Sequence, residues 1–222
     1  NSDYHFWLGV AYGETNRRDK ERASYEKAVQ LNDRNIQAHT YLGHNLLLAG
    51  EYQSSLNHYQ KALEYSPENP QALYNRAIIY RQLKREAEER VALLLYLDTH
   101  PAGNFARLAT DRLNILGDHS YRNHTLGLRT LTLTAISFAP FSGDMLPSSR
   151  ASLDLLGATA SNMAKGTLHI VVYQQNNLTL AKERALAIQG YLEKGFPDLK
   201  KEGRLAASWF AVPEERTVND KK

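Results

Sequence analysis

The sequence predicts an α+β protein of two domains. The first is an all-α repeat solenoid of three helical pairs plus a capping helix. The second is a β-α-β-α-β sheet-and-helix domain. Three observations predict this. Small, aromatic and proline positions recur at an interval of 34 over roughly residues 2–103. Within each interval the apolar residues fall on helical stripes, separated by Gly and Pro stops. After residue 124 the periodicity changes from helical to alternating.

The repeat is clearest in Ile36–Asn69. Leu42, Gly43 and Leu46 share one stripe, Gly50 marks a turn, and Tyr59, Ala62 and Leu63 form a second stripe. Pro67 closes the unit, because its ring cannot continue a helix. The positions Gly9, Gly43 and Ala77 are in phase, as are Tyr12, Leu46 and Tyr80, Tyr25, Tyr59 and Leu93, and Asp33, Pro67 and Pro101. Gly43 has no side chain, so a partner helix approaches closely there. Two positions break the pattern: Arg76 replaces Leu8 and Leu42, and Tyr96 replaces Ala28 and Ala62. A period of 34 in this order resembles the tetratricopeptide repeat (TPR).

Three stacked units need a cap. Gly103–Gly117 suits that role, with Phe105, Leu108, Ala109, Leu113 and Leu116 read as inward and Arg107, Asp111 and Arg112 as outward. Seven helices are therefore expected, with a repeat domain over 1–117 and a polar linker over 118–124. First helices line the concave face of such a stack. Phe6, Trp7, Val10, Tyr41, His44, Tyr74, Asn75, Ile78 and Arg81 are the expected groove residues. They offer aromatic anchors and a few polar groups to a protein or peptide partner. No Lys/Asn/Arg set is placed to clamp a terminal carboxylate.

The second domain is expected over 125–222. Leu126–Ala139 alternates Leu128, Leu131, Leu133, Ala135 and Phe138 with Thr130, Thr132, Thr134 and Ser137, which is strand chemistry. Pro147–Met163 reads as a helix with Leu153, Leu156 and Met163 inward. Leu168–Tyr173 reads as a strand. Leu178–Glu193 reads as an amphipathic helix on Leu180, Ala185, Ile188 and Leu192, and Arg204–Val212 as a third strand. The charged tail Pro213–Lys222 is expected to fray. Strands alternating with helices imply a layered sheet.

Two runs here resemble the OmpA-like family, shared with the flagellar stator protein MotB and the peptidoglycan-associated lipoprotein. One is Ile136-Ser-Phe138 through Ser142, Met145 and Pro147, continuing to Leu153-Asp154 and Leu156. The other is Asn177-x-x-Leu180-Ala181-x-x-Arg184-Ala185 with Tyr191-Leu192. The resemblance implies peptidoglycan binding, in which an Asp and an Arg hold the diaminopimelate group: a guanidinium forks onto a carboxylate, and a carboxylate takes the ammonium. Arg184 matches the Arg. The Asp is absent, its segment reading Tyr173-Gln174-Gln175-Asn176. The third strand reads Ser208-Trp209-Phe210, without the family's Gly-Tyr-Gly, and the closing motif is reduced to Glu215-Arg216-Thr217-Val218. Arg184, Asn176 and Asn177 are the expected wall-binding residues, with Arg184 pairing with a neighbour on a solvated face as the other reading.

Composition bounds the rest. The net charge is +3, and the whole excess lies in residues 118–222. There is no dense basic stripe with interleaved aromatics, so nucleic acid is not an expected partner. Zero cysteine removes thiol chemistry and Cys-ligated zinc. No apolar run approaches the roughly 18 residues of a membrane span. Asn1 is not an initiator methionine, so a signal or anchor segment is expected to have preceded it.

No nucleophile elbow, phosphate loop or zinc helix occurs. The histidines are scattered, with His39 and His44 five apart, and Glu86, Glu88 and Glu89 with Arg85 and Arg90 read as a solvated helix face. No enzyme activity and no cofactor are expected. The functional expectation is a periplasmic envelope scaffold, its repeats binding a protein and its OmpA-like domain tethering weakly to peptidoglycan. The alternative is a pure adaptor of a secretion, pilus or surface-assembly complex.

Overall fold

A computed structural model describes residues 1–212. The chain divides into two compact units, residues 1–123 and 124–222.

The first unit contains α1 (Ser2–Glu14), α2 (Arg18–Leu31), α3 (Ile36–Leu48), α4 (Tyr52–Tyr65), α5 (Pro70–Gln82), α6 (Glu86–Thr99) and α7 (Asn104–Ile115), as expected. Side-chain chemistry repeats at each helix end. Asn1, Asn35 and Asn69 cap α1, α3 and α5, accepting from the backbone N–H of Asp3, Ala38 and Ala72 at 2.9 Å. The turns between paired helices carry a left-handed residue at Asn16, Gly50 and Lys84. That geometry lets the N–H of Arg17, Glu51 and Arg85 reach back to the carbonyls of Tyr12, Leu46 and Tyr80 at 2.9 Å. The Tyr12, Leu46 and Tyr80 periodicity therefore reflects one repeated chain reversal.

The close-approach positions are where the sequence places them. A Cβ on Gly43 would lie 3.0 Å from the Tyr59 ring, and one on Gly9 would meet the Tyr25 ring. In the third unit the small residue is Ala77, which has a Cβ, and the facing residue is the shorter Leu93. Both are fully buried.

The capping helix is rotated from its expected face. Ala106, Ala109, Thr110 and Leu113 are buried, whereas Phe105 and Leu108 are 48% and 46% exposed. Arg112 faces inward to Glu89, with two hydrogen bonds of 2.7 and 2.8 Å. Glu89 is fully buried and also accepts from Arg81 Nε at 2.9 Å. The expected solvated face is thus wrong at Glu89, because two guanidiniums compensate its burial.

Thr110 is fully buried, and its hydroxyl has no hydrogen-bond partner among the described residues. Thr110→Val keeps the shape and removes an unsatisfied polar atom. It should stabilise the chain by about 1 kcal/mol in a urea melt. An unchanged or lower midpoint would show that the hydroxyl is satisfied in solution.

Strand β1 (Tyr121–Leu126) begins inside the expected linker, and Tyr121 packs into the core of the first unit. It pairs with β2 (Arg129–Thr134) in a two-stranded sheet. The expected single strand 126–139 is therefore broken. Gly127, at φ 62°, opens a two-residue turn, and Leu128 is wholly exposed there.

In the second unit a 3-10 turn (Pro147–Ser149) leads into α8 (Arg150–Ser161). Then come β3 (Leu168–Tyr173), α9 (Leu178–Gly195), α10 (Pro197–Lys201) and β4 (Leu205–Phe210). β3 and β4 pair in parallel, Leu168 opposite Leu205 and Tyr173 opposite Phe210. The expected α9 stripe of Leu180, Ala185, Ile188 and Leu192 is buried. Leu153, Ile170, Ile188 and Leu192 form the core.

The strand order β-α-β-α-β is present, but among the described residues β2 does not join β3 and β4. The backbone at its end and just after it is engaged elsewhere. The Thr134 N–H donates to Ser152 Oγ and the Ser137 N–H to Ser149 Oγ, each at 2.8 Å, and Pro140 has no N–H. The tail readings at Pro213–Lys222, including Glu215-Arg216-Thr217-Val218, lie outside the described residues.

Candidate functional site

The first helices α3 and α5 and the capping helix α7 enclose a pocket of about 330 Å³. It is lined by Thr40, Tyr41, His44, Gln71, Tyr74, Asn75 and Phe105. A second pocket of about 230 Å³ shares Tyr41 and His44. Val10, Gly13, Glu14, Arg18, Glu21, Tyr25 and Leu48 add to its walls.

The aromatic wall of the first pocket follows from the irregular repeat. Tyr96, standing where the other repeats have Ala, meets Tyr74 edge-on at 5.4 Å. Tyr74 stacks on Phe105 at 4.7 Å. Tyr41 is held edge-on by Phe6 at 5.2 Å and by Tyr25 at 5.7 Å. Burial raises the Tyr74 hydroxyl pKa, although nearby Arg81 opposes the shift, so it stays protonated at neutral pH. Asn75 Nδ2 donates to the Tyr59 hydroxyl at 2.8 Å, which fixes the amide at the pocket floor. The described lining residues of this pocket include no Asp, Glu, Lys or Arg.

The expected groove residues divide as follows. Tyr41, His44, Tyr74 and Asn75 line the first pocket, and Val10 lines the second. Phe6 does not line either: it is 2% exposed and belongs to the core with Tyr25, Leu42 and Leu46. Its ring is the support under Tyr41. Trp7 is 62% exposed, set edge-on against Phe6 at 5.0 Å and outside both pockets. Ile78 packs against the core, and Arg81 turns to Glu89. Sequence reasoning missed Phe105, Gln71 and Thr40. Its apolarity points Phe105 to the core, but the buried Ala106 and Ala109 set a different helix rotation.

In the second unit Arg184 bridges two loops. Its Nε donates to the Ser142 carbonyl at 3.1 Å, its Nη1 donates to Gln174 Oε1 at 2.7 Å, and its guanidinium lies over the Phe138 ring at 5.0 Å. All three partners are neutral. Among the described residues no carboxylate pairs with it, so the expected ion pair with a neighbouring acid is not formed. Asn177 has a local task, capping α9 by accepting from the Leu180 N–H at 2.9 Å. Asn176 is exposed in a left-handed turn at φ 56°, its backbone N–H bonded to the Ala211 carbonyl.

No group of three or more His, Asp or Glu side chains among the described residues is arranged to hold a metal ion, and no described helix is long and apolar enough to cross a membrane.

The repeat geometry has its counterpart in known families. Residues 2–35 match the model of the tetratricopeptide repeat, and residues 43–84 match a second TPR repeat model. The first unit therefore carries tetratricopeptide repeats. Both family matches lie within that unit.

Among curated proteins, the BBSome complex member BBS4 of Bos taurus is 34% identical over 76 residues, which is 34% of this chain and 14% of that protein. The photosystem I assembly protein Ycf3 of Synechococcus elongatus is 34% identical over 70 residues, 30% of this chain and 40% of that protein. The chain thus spans well under half the length of these relatives. Among solved structures, the Arabidopsis OM64 TPR domain is 22% identical with a TM-score of 0.49, over 52% of this chain and 95% of that one. The first TPR of Spaghetti (RPAP3), bound to an HSP90 peptide, is 15% identical with a TM-score of 0.48, over 52% and 90%.

Proposed function

We propose that this chain is a non-enzymatic adaptor whose repeat unit binds an extended segment of a protein partner. The observation that carries this is the pocket between α3, α5 and α7. It is concave, aromatic and neutral, with polar edges from Gln71, His44 and Asn75, a composition suited to a side chain flanked by peptide backbone. The rigid Tyr74–Phe105 stack serves as an anchor that loses little conformational entropy on binding.

Peptides selected from a random phage-displayed library on the full chain should bind Phe105→Ala and Tyr41→Ala at least about tenfold more weakly, with circular dichroism unchanged. Equal affinity in both variants would move the interface off this face.

A second reading is favoured by Arg184. The second unit is a reduced OmpA-like domain that touches peptidoglycan in the periplasm, making the chain an envelope scaffold. A guanidinium met only by neutral acceptors keeps capacity for a ligand carboxylate. Without an acidic partner it does not select a zwitterion, so the tether is weak and salt-sensitive. Sedimentation with purified sacculi at low salt should be lost in Arg184→Ala. Tight, salt-resistant sedimentation of both proteins would refute this account of the site, and no sedimentation at any salt leaves the adaptor reading alone.

A further inference from the structure

Glu21 and Glu89 occupy the same repeat position, two periods of 34 apart. Their surroundings differ in one respect. Glu89 is met by two cations: Arg81, from the first helix of its own repeat, and Arg112, from the next first helix. The positions equivalent to these around Glu21 are Gly13 and His44, 68 residues earlier in each case. A Cβ on Gly13 would lie 3.1 Å from Glu21 Oε1, so the Glu21 carboxylate itself sits where Arg81 begins its side chain beside Glu89, and Gly13 supplies no cation to it. Asn45 Nδ2 donates to Glu21 Oε2 at 3.2 Å, and Tyr25 lines the same pocket. That donor is neutral. Among the described residues no ion pair neutralises Glu21.

Gly13, His44 and Glu21 all line the 230 Å³ pocket. The first repeat therefore presents, open to a ligand, the carboxylate that the third repeat covers with its own arginines. Glu14 adds a second carboxylate to the pocket wall, and Arg18 adds one cation, leaving a negative balance. This pocket shares Tyr41 and His44 with the neutral aromatic one.

Resting on the adaptor reading, we infer that the partner segment is basic-apolar: an Arg or Lys side chain enters beside Glu21, and a neighbouring large apolar side chain enters between Tyr41, Tyr74 and Phe105. Arg suits the site better than Lys, because a planar fork meets a carboxylate through two hydrogen bonds, as Arg112 does at Glu89. An acidic terminal peptide is disfavoured by the same charges.

The test uses fluorescence anisotropy with amidated, N-acetylated octapeptides, titrated against the full chain at 50 and 300 mM salt. The panel holds one Phe next to Arg, Lys, Gln or Glu in otherwise Gly/Ser sequences, and an Ala-Arg control. Phe-Arg should bind at least tenfold tighter than Phe-Glu and Ala-Arg, and Phe-Lys should lie between Phe-Arg and Phe-Gln.

Two variants separate a recognition role from a structural one. Glu21→Gln should bring Phe-Arg and Phe-Gln to equal affinity. His44→Arg supplies from within the cation that Arg112 supplies to Glu89. It should raise the thermal midpoint while abolishing the Arg preference. Binding of Phe peptides without charge preference overturns this inference and leaves the adaptor reading in place. Preference for Phe-Glu overturns it as well. If no peptide of the panel binds and library selection on the full chain also yields none, both readings fall.

Discussion

Glu89→Ala is expected to lower the stability of the chain by about 3 kcal/mol, read as a drop in the helical melting midpoint on the order of 10 °C. Glu89 is fully buried and receives three hydrogen bonds from two guanidiniums. It ties α6 both to α5 through Arg81 and to α7 through Arg112. Removing the carboxylate leaves two cations facing one another across the space it occupied. Arg81 and Arg112 retain 41% and 22% side-chain exposure, so water relieves part of the penalty. That relief sets the estimate at the lower end of about 3–5 kcal/mol for breaking a buried pair. A melt indistinguishable from wild type would mean that the triad contributes nothing net, as some buried ion pairs do.

The same triad gives a pH dependence. Burial alone would raise the Glu89 carboxyl, but hydrogen bonds from Arg112 and Arg81 outweigh it, and the folded pKa is lowered from the ordinary 4.5. A lowered carboxyl pKa stabilises the fold fully above the unfolded value. The contribution falls away as pH drops below about 4.5 and through the folded value. The stability difference between wild type and Glu89→Gln should therefore be constant from pH 8 to 6 and shrink steadily in acid. A gap that widens in acid would contradict the sign.

What the sequence disclosed depended on how many times a signal recurred. The Gly9, Gly43 and Ala77 series and the Tyr25, Tyr59 and Leu93 series each appear three times in phase, so seven helices and their contacts were legible. Glu89 was not, since a charge run beside Arg85 and Arg90 looks the same whether solvated or buried. Only comparison with Ser55, the small residue at the equivalent position, marks it as an inward site.

The groove was half legible for a similar reason. Tyr41, His44, Tyr74 and Asn75 follow from repeat phase, whereas Phe105 belongs to the terminal helix, where no following repeat fixes the rotation. In the second unit, apolar alternation does not reveal that Gly127-Leu128 folds back. Nor does it reveal that Ser149 and Ser152 take the backbone donors a third sheet strand would need. Arg184 was identified by resemblance, but its partner Ser142 lies 42 residues away in sequence, and neither Ser142 nor Gln174 carries a charge to suggest the pairing.

Gly43→Leu should destabilise the chain by about 3 kcal/mol, at the upper end of the range for overpacking. The first added carbon would already stand 3.0–3.1 Å from three atoms of the Tyr59 ring. The remaining three have no vacant volume, since Tyr59 is fully buried. The ring does not swing aside freely, because its hydroxyl accepts from Asn75. The third repeat shows how the chain accommodates a Cβ here, with Ala77 facing Leu93. Transplanting that solution gives a sharper test than the single change. In a Tyr59→Leu background, Gly43→Ala should be neutral or stabilising, since the ring that met the new Cβ is gone and Ala favours the helix by about 1 kcal/mol over Gly. In the wild-type background the same change should be worse by about 1 kcal/mol or more, a coupling that a double-mutant cycle isolates. Additive effects, or a Gly43→Leu protein that melts with the wild type, would place the α3–α4 contact somewhere other than this glycine.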